Sequence, residues 1–405
     1  MGLAGDELSA PRRIYLDHAA TTPVAPAVVE AMLPLLREHW GNPSSPHSHG
    51  RRARSAVDDA RDRLAAVLHC AARELTFTSG GTEADNLAVR GVLQRWGAQR
   101  GRHLVVSAIE HDAVLTTATR LGARGEAEVT VVGCDSAGRV DPDRVAAAVR
   151  DDTVLVSLML ANNEVGTVQD VAAIARAARR CNPRILVHSD AVQALGRMVV
   201  DPAALGVDLL TVSAHKCYGP KGCGLLYARW GTHLGAQMEG GGQERGRRSG
   251  TENVAAIAGF AVAAELVEGE RAGQVARQAD LRDSMEAAVL HGAPGVRVAA
   301  RSADRLPNLT ALLVDGASAE ALVTALDLAG VAVSSGSACS SGAAVPSHVL
   351  AAIGEDPSAT AMLRISLGRE TSASDVVEAA GRILAAIAVA CPGPAAALAR
   401  APSHS

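Results

Sequence analysis

Apolar, β-branched runs that stop abruptly at polar clusters recur through the first half of this chain. Residues 74–78 lead into Ser79-Gly-Gly-Thr82-Glu-Ala-Asp-Asn86, and 103–107 lead into Glu110-His111. Residues 154–160 lead into Asn162-Asn163-Glu164, 185–188 into Asp190 and Gln193, and 208–213 into His215-Lys216. Helical patterns separate most of them, as at 142–150 and 171–180. Strands alternating with helices predict right-handed βαβ units and a mostly parallel sheet. Ligands of such sheets bind beyond the carboxyl ends of the strands, which is where all five polar clusters fall.

After Gly250 the pattern changes. Residues 254–290 are rich in Ala, Glu and Arg and predict one or two helices, interrupted at Gly292-Ala-Pro-Gly295. Strands are expected at 309–314, 331–333 and 363–366, and helices at 318–329, near 347–353, and from about Ser374 onward. This is the pattern of a smaller α/β unit. Its most unusual piece is the loop Ser334-Ser-Gly-Ser-Ala-Cys339-Ser-Ser-Gly342.

Length and composition narrow the reading. A chain of 405 residues exceeds one typical core, so two domains are expected. Hydrophobic residues make up 48% and aromatics only 2%, so the core must be aliphatic, which suits helices packed closely on a sheet. A net charge of -4 argues against direct nucleic-acid binding. The arginine clusters at 51–54 and 245–248 read as solvated helix or loop faces. The seven cysteines include no CxxC pair and no metal-type Cys/His spacing, and Cys217 with Cys223 lacks the second half of a zinc site. Free thiols, a cytoplasmic setting and no metal are the expectation. The acidic N-terminus has no apolar core and does not read as a signal peptide. The apolar tail at 382–399 is broken by Pro392 and Pro394 and does not read as a membrane span.

The candidate chemistry starts from an imbalance: of 39 Lys and Arg residues only Lys216 and Lys221 are lysines, and they lie in one short stretch. An amine can form a Schiff base, whereas a guanidinium stays protonated. The Ser79-Gly-Gly-Thr82 turn opens a helix, and free amides there with the helix dipole suit a phosphate. An ordinary helix cap is the alternative reading. Asp190 can hold the protonated nitrogen of a pyridine ring, or cap a helix. Gln193 shares its face, His111 can stack on a ring, and Asn163 can reach a ring hydroxyl. With Lys216 these describe pyridoxal phosphate. Cys339, on a polar loop, is a candidate reactive thiol or a buried structural cysteine. Arg364, alone in Leu-Arg-Ile-Ser, can clamp a substrate carboxylate or sit on an edge strand.

These residues together closely resemble the cysteine desulfurases of the NifS/IscS type, within the class V (fold type I) pyridoxal-phosphate enzymes. The likeness runs from Tyr15-Leu-Asp-His-Ala-Ala-Thr-Thr-Pro23 to Arg364-Ile-Ser-Leu-Gly368. Its most specific pieces are Gly-Gly-Thr-Glu-Ala-Asp-Asn86, Ala-Asn-Asn-Glu-Val-Gly166, Ser-Ala-His-Lys216, Gly-Gly-Gly-Gln-Glu-Arg245, Arg-Ser-Gly-Thr251 and Ser-Ser-Gly-Ser-Ala-Cys339. The resemblance implies a seven-stranded, mostly parallel sheet flanked by helices at 26–270 and a smaller α/β domain at 271–405 carrying the 334–346 loop, with 1–25 packing on the latter. It implies that Gly81 and Thr82 bind phosphate, that Asn163, Asp190 and Gln193 hold the ring, and that Ser213 and His215 contact the phosphate side. Lys216 is the implied Schiff-base lysine and Cys339 the residue that accepts sulfur from L-cysteine as a persulfide. Thr251 is implied to reach the phosphate of a partner subunit, so a homodimer follows, and a sulfur-acceptor protein of unknown identity completes the reaction. The long segment from Cys339 to His348 resembles the housekeeping-type group rather than the short-loop group that includes selenocysteine lyases. Gly81 stands where alanine is also common, and Cys217 where a larger apolar residue is frequent. Another class V enzyme, such as an aminotransferase or selenocysteine lyase, and a non-enzymatic sulfur-relay protein remain as rivals.

Overall fold

The computed structural model describes residues 12–336 and 346–391. Its centre is a seven-stranded sheet in the order Leu75–Thr78, Gly224–Ala228, Leu209–Ser213, Leu186–Asp190, Thr153–Ser157, His103–Ser107, Glu128–Val132. Only Gly224–Ala228 runs antiparallel to its neighbours; the other pairings are parallel. The strands at 75–78, 103–107, 153–157, 209–213 and 224–228 are buried at every position, as expected of a sheet covered on both faces. Valine, leucine and alanine fill the space between sheet and helices, which is how a chain this poor in aromatics closes its core.

Two strands of this sheet escaped the sequence reading. Glu128–Val132 is a half-exposed edge, and Gly224–Ala228 opens on glycine directly after a Gly/Pro turn. The run at 154–160 leaves the ladder at Ser157. Its next amide on that side, Met159 N, donates to the carboxylate of Glu110 instead, although Leu158 and Leu160 still bond the backbone of the neighbouring strand. That neighbour extends two residues further than predicted and ends on Asp190.

The second half begins with a single 39-residue helix, Val254–Gly292, which runs unbroken through residue 270. Beyond it lies a four-stranded antiparallel sheet in the order Ser334–Ser335, Thr360–Ser366, Leu309–Asp315, Arg297–Val298. The short strand Ile14–Tyr15 pairs in parallel with Val331–Ala332, and Asp17 bridges to Ser366. From there residues 17–22 cross to the large sheet: the backbone amide of Thr22 donates to the carbonyl of His215. The two sheets thus meet across one short segment. No helix among the described residues is long and apolar enough to cross a membrane.

Candidate active site

A cavity of about 210 Å³ opens at the carboxyl ends of the parallel strands. Its lining includes Gly81, Thr82, His111, Asn163, Asp190, Gln193, Ser213, His215, Lys216 and Arg364, ten of the twelve residues singled out above. Thr251 is exposed on the turn before the long helix and does not line the cavity. Cys339 lies outside the described residues.

Each lining residue is placed by its strand. Lys216 ends the short 3-10 turn Ala214–Lys216 that follows Leu209–Ser213. Its Nζ donates to the backbone oxygens of Ala19 (2.6 Å) and Ala20 (2.8 Å), so the segment crossing from the small sheet fixes the amine. Asp190 ends the adjacent strand, in register with Thr211. Its Oδ1 accepts from Val192 N at 2.8 Å. Burial raises its pKa, with His111 and Lys216 opposing that rise. A buried carboxylate in that state favours a cationic partner such as a protonated ring nitrogen.

His111 caps the helix Asp112–Ala123, its Nδ1 accepting from Ala113 N at 3.1 Å. Glu110 beside it is wholly buried and ties the ends of two strands together, accepting from Ser107 Oγ and Met159 N. Burial pushes its pKa up to about 8. The twin asparagines separate cleanly. Asn162 is structural, with its amide on Ile109 O and its oxygen accepting from Glu164 N and Val165 N. Asn163 lines the cavity. His215 accepts or donates at Thr21 Oγ1 (3.1 Å), and burial, reinforced by Lys216 and Lys221, lowers its pKa to about 4, so it is neutral near pH 7.

Gly81 begins the helix Gly81–Arg100, where a Cβ would come within 2.9 Å of Val192 Cγ2. Glycine there lets the helix start pack against Val192 where both residues line the cavity. Ser213 Oγ and Gln193 Oε1 are buried without a hydrogen-bond partner among the described residues, although the Gln193 amide donates to Ala19 O at 2.9 Å. Orphaned polar atoms are uncommon in a folded protein and point to a missing polar ligand. The donor set, the amine and the buried carboxylate all fit pyridoxal phosphate.

Arg364 is 1% exposed and sits on the central strand Thr360–Ser366, which rules out the edge-strand reading. Its Nη2 donates to Asp17 Oδ1 (2.8 Å) and its Nη1 to Asn163 O (3.1 Å), while its buried Nε has no partner among the described residues. Asp17 carries no signal of this pairing in the sequence. Asp85 was also missed: it lines the cavity, is fully buried, and stands 3.6 Å from His188 Nε2. The signal for it was its place one turn into the helix that opens at Gly81.

The remaining cysteines do not compete as nucleophiles at this site. Burial pushes Cys70, Cys217 and Cys223 up to about 12 and raises Cys134 as well. Cys181 is exposed, contrary to its alanine-rich setting, but lies at the end of Val171–Cys181 and does not line the cavity. Among the described residues no cluster of His, Cys, Asp and Glu could hold a metal ion. Lys221 is exposed in a turn whose shape rests on Gly219, where a Cβ would be 2.8 Å from Ala214 O, and on Gly222 at φ 79°. Lys221→Arg is expected to leave both thermal stability and turnover within about twofold of wild type, since surface changes of this kind are nearly neutral.

A strand-end lysine, a buried carboxylate on the adjacent strand and a helix N-terminus at one edge of a mostly parallel sheet define a pyridoxal-phosphate enzyme of fold type I. The family Aminotransferase class-V matches residues 14–378. Cysteine desulfurase IscS of Dictyoglomus turgidum is 43% identical over 366 residues, covering 90% of this chain and 92% of that one. A solved NifS-like protein, 35% identical, superposes with a TM-score of 0.87 over 93% of this chain and all of the other. SspA in complex with cysteine is 32% identical, with a TM-score of 0.75 over 87% of this chain and 98% of its own. The chain belongs to the class-V aminotransferase family, and within it to the cysteine desulfurases of the NifS/IscS type.

Proposed function

We propose that this enzyme takes sulfur from L-cysteine, leaving L-alanine and a persulfide on Cys339 that passes to an acceptor protein. The reading is supported above all by Lys216, whose Nζ is held by Ala19 O, in the lining of a cavity that also presents Asp190, Ser213, Gln193 and Arg364. The cysteine held by a solved relative supports the substrate. In this account Gly81, Thr82, Ser213 and His215 hold the phosphate of pyridoxal phosphate, and Asn163, Asp190, Gln193 and His111 hold its ring. Bound there, the cofactor supplies an electron sink that draws charge from the substrate's α-carbon and weakens its Cβ–S bond.

The chain's own residues do the rest. Arg364 binds the substrate carboxylate through Nε–H and the guanidinium N–H groups not engaged by Asp17 and Asn163. Asp190 keeps the proton on the ring nitrogen. Lys216 would hold the cofactor covalently, and its Nζ is the group placed to accept the substrate's α-proton. The Cys339 thiolate attacks the substrate sulfur: an S–S bond forms, the C–S bond breaks, and its electron pair goes to Cβ, which is then protonated as alanine forms. His111 is placed to accept the thiol proton. Thr251 serves a partner subunit's phosphate in a homodimer, residues 26–270 and 271–405 act as the cofactor and Cys339 domains, and the enzyme works in the cytoplasm.

Purified protein loaded with cofactor should release alanine and sulfide from L-cysteine in equal amounts when a thiol reductant is present. Transfer of the amino group to a 2-oxo acid with no sulfide would favour the aminotransferase rival instead. Arg364→Lys is expected to raise KM for cysteine roughly 10- to 100-fold, the loss of one charge-assisted hydrogen-bond pair, in a steady-state assay.

A further inference from the structure

Glu164 is a buried acid that the reaction as described does not use. It follows Asn163, whose carbonyl holds Arg364, and its own amide is fixed by Asn162 Oδ1 at 2.8 Å. Its Oε2 accepts from Ser347 Oγ at 2.5 Å. Ser347 also caps the helix His348–Ala352, accepting from Leu350 N at 3.0 Å. The next residue, His348, meets the carbonyl of Glu110 through Nε2 at 2.9 Å. The same Glu164 oxygen lies against Gly336, where a Cβ would stand 2.5 Å from Oε2 and 1.9 Å from Met362 Cε. Gly336 follows the strand Ser334–Ser335, whose Ser334 is in register with Arg364.

One carboxylate oxygen therefore touches both ends of the segment that carries Cys339, at 336 and at 347. Cys339 is three positions beyond Gly336, so their Cα atoms are at most about 11 Å apart. Where Gly336 is held limits where the thiol can go, and Gly336 is held beside the strand that carries Arg364. An attack on sulfur gains most of its rate from such placement, and small displacements cost it heavily.

We propose that Glu164 is a positioning residue for sulfur transfer: by bonding Ser347 and backing Gly336 it pins both ends of the 337–346 segment beside the substrate's carboxylate site. The inference rests on Cys339 being the sulfur acceptor. Its burial-raised pKa, opposed first by the Ser347 hydroxyl and then by His348 and Arg364, fits a group whose task is a fixed hydrogen bond rather than proton exchange with solvent.

The test uses the full-length, cofactor-loaded enzyme and two readouts. L-cysteine is added without reductant, and the persulfide on Cys339 is followed by quenched-flow mass spectrometry. Binding of L-alanine, read from the change in cofactor absorbance, reports the cavity independently of Cys339. Glu164→Ala is expected to slow persulfide formation at least tenfold while the alanine dissociation constant stays within about twofold. Glu164→Gln keeps an oxygen for Ser347 and is expected to restore the rate to within about threefold of wild type. Ser347→Ala, which leaves the acid in place, is expected to fall at least fivefold in the same step and serves if Glu164→Ala does not fold. Persulfide formation at the wild-type rate in Glu164→Ala or Ser347→Ala overturns the proposal. So does a fall in alanine binding that matches the fall in rate, since that marks a general structural defect. If wild-type enzyme forms no persulfide on Cys339, it is the sulfur-acceptor assignment that fails, and the positioning role falls with it.

Discussion

Lys216→Arg is expected to abolish desulfurase turnover, with a loss of roughly 10⁴-fold or more, because in the proposed reaction one amine serves both as covalent anchor and as proton carrier. The variant keeps the positive charge and can keep donors near Ala19 O and Ala20 O, which hold the wild-type amine at 2.6 and 2.8 Å. Charge and fold are therefore largely preserved, and the chemistry is what is removed. A guanidinium does not deprotonate in a protein, so it can neither attach the cofactor nor accept the α-proton. Three measurements check this together: visible absorbance of the lysine-bound cofactor, its retention after borohydride reduction, and sulfide release. Retained borohydride-fixed cofactor in the arginine variant would show that another group provides the anchor. No such group is at hand in the sequence, since Lys221, the chain's other lysine, is exposed in a turn and does not line the cavity.

Cys339→Ala is the second large effect and dissects the reaction differently. The absorbance of the lysine-bound cofactor and its perturbation by L-cysteine should be unchanged, while alanine and sulfide production fall by roughly 10³-fold or more, as expected when a covalent nucleophile is removed. The contrast matters because the described cysteines offer no replacement within the cavity: Cys217, next to Lys216 in sequence, is buried and pushed up to about 12. A Cys339→Ala enzyme that turns over amino-acid substrate at full rate would instead be an aminotransferase or lyase on the same fold.

Much of this site is legible in the sequence because strand ends concentrate it. A βαβ chain delivers successive strand ends to one edge, so polar clusters following apolar runs converge without any knowledge of the helices between them. That is why Gly81, His111, Asn163, Asp190 and Lys216 line one cavity despite lying up to 135 positions apart. The residues that escaped are those whose role depends on a contact across the chain. Asp17 pairs with Arg364 from 347 positions away. Glu110 is visible in sequence only as part of a strand-end polar cluster, but its carboxylate accepts from Met159 N in place of a backbone acceptor. Nor could the pattern show that Lys216 is held by Ala19 and Ala20, because backbone acceptors carry no side-chain signature. The strand Glu128–Val132 was hidden for the opposite reason: half-exposed at the sheet edge, it lacks the continuous apolar run that marks its buried neighbours.

The central claim joins Lys216 chemistry to a sulfur-accepting thiol on one chain. It is tested most directly by incubating the cofactor-loaded wild-type enzyme with sulfur-labelled L-cysteine, without reductant, and mapping the labelled peptides by mass spectrometry while counting the alanine released. The account predicts one labelled sulfur on the peptide containing Cys339, reductant-labile and matched by one alanine per labelled site. Alanine released with the label on another cysteine, or no alanine at all, would contradict it.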